Sequence, residues 1–226
     1  MPVAPDLTDR VVVVTGAAGR LGRVVVDQLE DAGARVASLD QDPSGAAGAL
    51  VLKADVTDEH SVAEAFGTVA ERMGTPDAVV HTVGMWDGRP FAETTLAEWR
   101  AVLDVNLTSV FIVFREAVRR MAAAGVPGHL VGVASGQGVD RGAPEQAAYS
   151  ASKAGVLRLV ESVAAEHRDA EITATAVAPS LILFGDEPED ARGVDVAEVA
   201  GLCVTLCGTA GTIHNGSVMR AYGSMR

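Results

Sequence analysis

The sequence predicts an α/β protein built on one doubly wound parallel sheet, and three observations carry that expectation. Seven short apolar runs rich in β-branched residues alternate with helical stretches. Strands alternating with helices imply parallel neighbours joined by right-handed crossovers, here in the order 3-2-1-4-5-6-7. The first run leads at once into three glycines spaced three apart, Gly16, Gly19 and Gly22. No internal repeat, low-complexity tract or linker interrupts the 226 residues, so a single domain over 1–226 is expected.

Composition narrows the class. Hydrophobic residues make up 48% and charged residues 21%, as in a soluble globular protein. No run of about 18 apolar residues suggests a membrane helix. The first residues lack a basic stretch followed by an apolar core, so no secretory signal is expected. Cys203 and Cys207, four apart in a helical pattern, read as small core residues in a reducing compartment, and the expected location is cytoplasmic. Two cysteines supply too few ligands for a metal site, and none is expected. The net charge of -12, with only Lys53 and Lys153 as lysines, argues against nucleic acid and anionic membrane as partners.

Residues 10–15 form a continuous β-branched run, the pattern of a strand buried on both faces. Gly16-Ala17-Ala18-Gly19-Arg20-Leu21-Gly22 follows, then a helix over 24–32 ending at Gly33. A strand, a glycine turn and a helix N-terminus together aim backbone N–H groups and the helix dipole at an anion such as a phosphate. The second strand, 35–39, ends at Asp40, which lies 18 residues after Gly22. An acid at that point accepts hydrogen bonds from a ribose 2′-hydroxyl. A third strand at 50–54 runs into Asp55-Val56, and Thr57 or Asp58 caps a helix reaching about residue 73. The fourth strand, 77–81, ends in a loop, Thr82-Val83-Gly84-Met85-Trp86, at a sheet edge where ligands bind. Trp86 is a candidate pocket residue; His81 reads as a packed strand-end residue.

A helical stretch over 95–125, with a break expected near Asn106, contains Val110-Phe111-Ile112-Val113-Phe114, which is apolar all round. Such a helix is buried on every side, which predicts a partner subunit. The fifth strand, 129–134, has Ser135 at its end. The helix over 147–167 carries Tyr149 and Lys153, four apart and therefore on one face, with about 5–6 Å between Cβ atoms. A nearby ammonium favours a phenolate, so this pair can exchange a proton with a substrate hydroxyl or carbonyl. The sixth strand, 172–177, leads to Pro179; a helix over 194–207 and a last strand over 217–221 complete the pattern.

The whole chain resembles the short-chain dehydrogenase/reductase family, on Thr15-Gly16, Gly19, Gly22, Asp55-Val56, Asp104-Val105-Asn106-Leu107, Ser135, Tyr149-x-x-x-Lys153 and Pro179. The resemblance implies a Rossmann-type fold with Asn106, Ser135, Tyr149 and Lys153 as the catalytic set. It makes Tyr149 the acid/base, with Lys153 supporting it and holding the nicotinamide ribose. Ser135 hydrogen-bonds the reacting oxygen, and Asn106 anchors a water in a proton relay. It places cofactor on Gly16, Gly19, Arg20, Leu21, Gly22, Asp40, Asp55, Val56, Val83, Gly84, Pro179 and Ile182. It also implies a small alcohol or carbonyl substrate, a homotetramer or dimer, and a substrate lid at about 180–195.

Departures exist. Arg20 stands at a usual glycine, His81-Thr82-Val83-Gly84 replaces Asn-Asn-Ala-Gly, and Phe184 replaces a threonine. The shifted turn, Trp86, the short lid and the tail 221–224 are similar to dihydropteridine reductase, which supplies an alternative. A redox-inactive dinucleotide sensor or scaffold is a second, though such proteins usually lack the Tyr–Lys pair. An epimerase or dehydratase of the extended family would need a larger C-terminal region. Asp40 favours NAD over NADP, because a 2′-phosphate beside it would set like charges close together; Arg20 pulls the other way.

Overall fold

The computed structural model describes residues 5–223, so the first four residues and Ser224 of the expected tail lie outside the described residues. The central sheet holds seven parallel strands, β1 (Val11–Thr15), β2 (Arg35–Asp40), β3 (Leu50–Lys53), β4 (Ala78–His81), β5 (Gly128–Val133), β6 (Ile172–Pro179) and, last in sequence, β9 (Val218–Ala221). Their order is β3-β2-β1-β4-β5-β6-β9, the expected arrangement with the final strand in the seventh place. The label β9 reflects two short strands that the sequence did not announce, β7 (Ile182–Leu183) and β8 (Val194–Asp195), which pair with each other in a small ribbon.

Each strand sits where its composition requires. All five residues of β1 and all eight of β6 are buried, as a β-branched run covered by helices on both faces must be. β3, at the sheet edge, instead alternates between half-buried and exposed residues. One core lies between the sheet and the helices α2 (Glu59–Met73), α4 (Ser109–Ala124) and α6 (Ala147–Glu166). The other lies on the opposite face, against α1 (Arg20–Asp31) and α7 (Val196–Leu206). Short helices α5 (Gly136–Val139) and α8 (Thr209–Ile213) were not legible in the sequence, being too short to show a period. Among the described residues no helix is long and apolar enough to cross a membrane.

Two expectations are refined. The break near Asn106 is not a gap but a π-helical turn, 104–108, joining α3 (Leu96–Leu103) directly to α4. The apolar run 110–114 is covered within one chain: Val110, Ile112, Val113 and Phe114 are buried, and only Phe111 stays exposed, at 42%. Its apolarity therefore does not by itself require a partner subunit.

Candidate active site

The C-terminal ends of the strands form one edge, and the strand register aligns them. Thr15 lies opposite Leu39 on one side and His81 on the other. At the end of β1, Gly16 adopts a left-handed φ of 73° and donates its N–H to Leu39 O at 2.9 Å. The helix α1 begins at Arg20, earlier than its apolar periodicity suggests, because the glycine turn itself is wound into the helix start. Gly22 permits this: a Cβ there would lie 2.0 Å from Gly16 O, so strand and helix meet at a distance no side chain allows. Gly19 is the N-cap and makes no side-chain cap. The first-turn amides of α1 therefore point outward without a side-chain acceptor, as an anion-binding helix start does. Leu21 is buried beneath this turn.

Asp40 is attached to the same turn. Its Oδ2 accepts from Ala18 N at 2.9 Å and its Oδ1 from Asp42 N at 3.1 Å, which fixes the carboxylate at the rim of the glycine turn. Arg20 faces elsewhere. Its Nη2 donates to Asp186 Oδ1 at 2.6 Å, and its guanidinium lies 3.9 Å from the centre of the Phe184 ring. Asp55 accepts from Thr57 Oγ1 at 2.6 Å and Thr57 N at 2.9 Å, and these bonds hold its carboxyl below the usual range. Its carboxylate is thus engaged within its own turn, and Val56 beside it is buried.

The second group of residues gathers around α6. Tyr149 and Lys153 face one cleft with Ser135, Gly84, Pro179 and Ile182, a space of 1220 Å³. Lys153 is 4% exposed; its Nζ donates to Val133 O at 2.9 Å and sits 6.0 Å from the centre of the Tyr149 ring. Burial pushes its pKa down to about 8. Ser135 stands two residues past β5 and caps α5, its Oγ accepting from Gln137 N at 3.3 Å. Gly84 lies against the ammonium: a Cβ there would come 3.1 Å from Lys153 Nζ and 3.3 Å from Asn106 Oδ1. Val83 packs on the glycine turn, its Cγ2 3.0 Å from where a Gly16 Cβ would stand.

Asn106 does not line the cleft; it holds the wall from behind. Its Oδ1 accepts from Met85 N at 2.7 Å, and its Nδ2 donates to Met85 O at 2.9 Å and to Ser152 Oγ at 3.1 Å. The π turn brings the amide to this place. His81 supports the turn. Ser109 Oγ donates to Val105 O at 2.6 Å and so accepts from His81 Nε2 at 3.1 Å, which leaves Nδ1 to accept from Thr15 Oγ1 at 2.8 Å. Burial, with Lys153 nearby, pushes the His81 pKa down to about 3, so the ring is a neutral brace, in line with the packed role read from its strand-end position.

Trp86 lines the cleft, as expected of its loop. Asp140 lines it too, within the stretch 136–144 that sequence reasoning assigns to the substrate pocket; what that reasoning missed is Tyr222, which also lines the cleft and donates its hydroxyl to Asp140 at 2.5 Å across 82 residues of sequence. It also missed Ser152, whose hydroxyl donates to Tyr149 O at 2.7 Å while accepting from Asn106. A signal for Ser152 was present, since it lies inside the Tyr149–Lys153 turn; none existed for the contact between Asp140 and Tyr222.

The sheet, its glycine turn and its strand-edge cleft define a Rossmann-type α/β protein. The family model for short chain dehydrogenases matches residues 10–186, and the chain belongs to that family. It is 36% identical over 203 residues to cis-4-hydroxycyclohexanecarboxylate dehydrogenase of Sinomonas cyclohexanicum, covering 84% of this chain and 81% of the relative. It is 36% identical over 177 residues to acetoacetyl-CoA reductase of Synechocystis, covering 78% and 73%. Among solved structures, a putative gluconate dehydrogenase from Agrobacterium tumefaciens superposes with a TM-score of 0.89 at 31% identity, over 99% of this chain and 98% of that one. Membership makes the protein an oxidoreductase of CH–OH and C=O groups, in a family whose members bind nicotinamide cofactors.

Proposed function

We infer that the protein interconverts a secondary alcohol and a ketone with NAD(H), Tyr149 acting as acid/base. One observation carries this reading: a buried Lys153 one helical turn from Tyr149, with Ser135 facing the same cleft. The residues present fit a dinucleotide, because the Gly16–Gly22 contact leaves no room for a Cβ and the start of α1 lacks a side-chain cap. In this reading Gly16, Gly19, Leu21 and Gly22 hold the phosphates, and Asp40 accepts from the adenosine ribose. Asp55 and Val56 border the adenine; Val83, Gly84 and Lys153 hold the nicotinamide ribose; Pro179 and Ile182 meet the carboxamide. The cofactor supplies a hydride acceptor or donor at its nicotinamide ring.

The chain's own groups then handle the proton. Tyr149 takes a proton from the substrate hydroxyl or returns it to the ketone oxygen, and the Lys153 ammonium stabilises the phenolate between the two. Ser135 donates a hydrogen bond to the same oxygen and orients it. Asn106 is a positioning residue: its amide is engaged by Met85 and Ser152, and it holds Gly84 against Lys153. A water relay through Asn106 would have to use its backbone. The segment 180–195 acts as the substrate lid, anchored by Arg20 through Asp186 and Phe184.

That anchoring also bears on cofactor choice. Arg20 is paired with the lid, while Asp40 is fixed at the turn where a 2′-phosphate would bring a second negative charge. The expected preference is for NAD(H), by at least about 1.4 kcal/mol or tenfold in kcat/KM. A panel of secondary alcohols and ketones, followed by NADH absorbance with both cofactors, tests the reading. Turnover with NADH at least about tenfold above NADPH is expected. Higher kcat/KM with NADPH removes the role given to Asp40, and bound NADH with no turnover anywhere favours a redox-inactive scaffold. The relatives named above differ in the substrates their names state, so none of those substrates is carried over.

A further inference from the structure

We propose that Arg141 is a carboxylate-binding residue of the cleft, and that the substrate is an alcohol or ketone with an apolar body and a carboxylate remote from the reacting carbon. This rests on the reading above for the position of the reacting carbon, beside Ser135 and Tyr149.

The charge pattern of the cleft carries the argument. Among the described residues its lining contains two cations, Lys153 and Arg141, and one acid, Asp140. Lys153 is buried and bonded to Val133 O. Asp140 is already matched: Tyr222 donates its hydroxyl to Oδ2 at 2.5 Å, and Arg220 Nε donates to Oδ1 at 3.2 Å. Those partners, the tyrosine first, together with the nearby Arg141 charge, hold the Asp140 carboxyl below its usual range. Arg141 next to it has no hydrogen bond or ion pair among the described residues, although it lines the cleft. Asp140 thus faces two guanidinium groups, Arg220 by contact and Arg141 through space, so one positive charge is left over at this wall of the cleft, in a chain whose net charge is -12. A guanidinium in that state matches a carboxylate by its fork of donors.

Two further features agree. Gln137, in the same wall, lines the cleft and has a buried Oε1 without a partner. An unpartnered buried acceptor costs about 1–3 kcal/mol, so Gln137 favours a ligand that brings a hydrogen-bond donor, such as the hydroxyl of the alcohol form, besides its carboxylate. Other parts of the lining are apolar and uncovered: Met85 is 36%, Trp86 63% and Leu181 55% exposed. Exposed apolar side chains grouped at a cleft suit the body of an apolar ligand.

Position sets the spacing. The single turn of α5 stands between Ser135 and Asp140, about 6 Å of helix at 1.5 Å per residue. A carboxylate on Arg141 therefore belongs several bonds from the reacting carbon rather than on its neighbour.

Calorimetric titration of the full-length protein with NAD present tests the proposal, using 4-acetylbenzoate against its methyl ester. The acid should bind at least about tenfold more tightly than the ester. Arg141→Gln should shrink that ratio at least about fivefold, and Arg141→Lys, which keeps the charge, should retain most of it. An ester bound as tightly as the acid, a ratio unchanged in Arg141→Gln, or binding of neither form would overturn the proposal. If the acid binds as expected but is not reduced by NADH, the hydride-transfer reading fails and the carboxylate site stands.

Discussion

The two sides of the strand edge are built on different principles. On the β1–β2 side, the recognition surface is backbone: Gly16 and Gly22 in contact, the uncapped start of α1, and Asp40 tied to Ala18 N. Every part is fixed by neighbours a few residues away or one strand across. On the β5–β6 side, the surface is side chains brought from afar: Trp86, Asp140, Arg141 and Tyr222, on a wall that also holds the unpartnered Gln137 Oε1. The first side suits a ligand part that never changes. The second can vary residue by residue without disturbing the sheet, which is how one fold serves many substrates.

Glycine substitutions separate the two sides most strongly. Gly22→Ala places a methyl 2.0 Å from Gly16 O, so backbone must move; urea unfolding should show a loss of about 3 kcal/mol, with cofactor binding impaired. Gly142→Ala in the opposite wall meets nothing nearer than Ser150 Cβ and Oγ at 3.8 Å, and stability should stay within about 0.5 kcal/mol. Equal losses would erase the distinction between a backbone-defined and a side-chain-defined wall.

A smaller effect concerns Lys153, which lies between the two sides. Its pKa is about 8 in the fold against an ordinary 10.5. Between those values the unfolded chain holds a proton that the folded chain has lost, so the contribution of this group to stability rises with pH across that window. Below about pH 8 both states are protonated and the fold carries the full cost of the buried charge. Lys153→Met removes this term. The stability of the variant relative to wild type should therefore be highest near pH 7 and fall toward pH 10, by up to about 1.4 kcal/mol per pH unit. A difference that does not change with pH contradicts the burial assigned to Lys153.

What could be read from the sequence follows the same division. Strand order, the glycine turn, Asp40 and the Tyr149–Lys153 pair were legible because each rests on local spacing: a β-branched run, glycines three apart, an i,i+4 pair. The π turn at 104–108 was visible only as a suspected break, since a single inserted residue leaves no periodic trace. The apolar run at 110–114 was legible as buried, but apolarity on all faces does not say which chain supplies the cover. The contact between Asp140 and Tyr222 was out of reach; 82 residues separate them and nothing in either neighbourhood marks it. Arg20 was read as a cofactor residue from its place in the turn, and nothing local announced its bond to Asp186, 166 residues away.

The central claim is that Tyr149 moves the proton while the glycine turn and Asp40 hold the cofactor, so that chemistry and cofactor binding are separable. Tyr149→Phe tests this most directly, with NADH affinity and turnover measured on the same preparation. NADH binding should be retained, while kcat falls by about 10²–10⁴, as for a lost acid/base. Turnover at the wild-type rate in that variant would contradict the account.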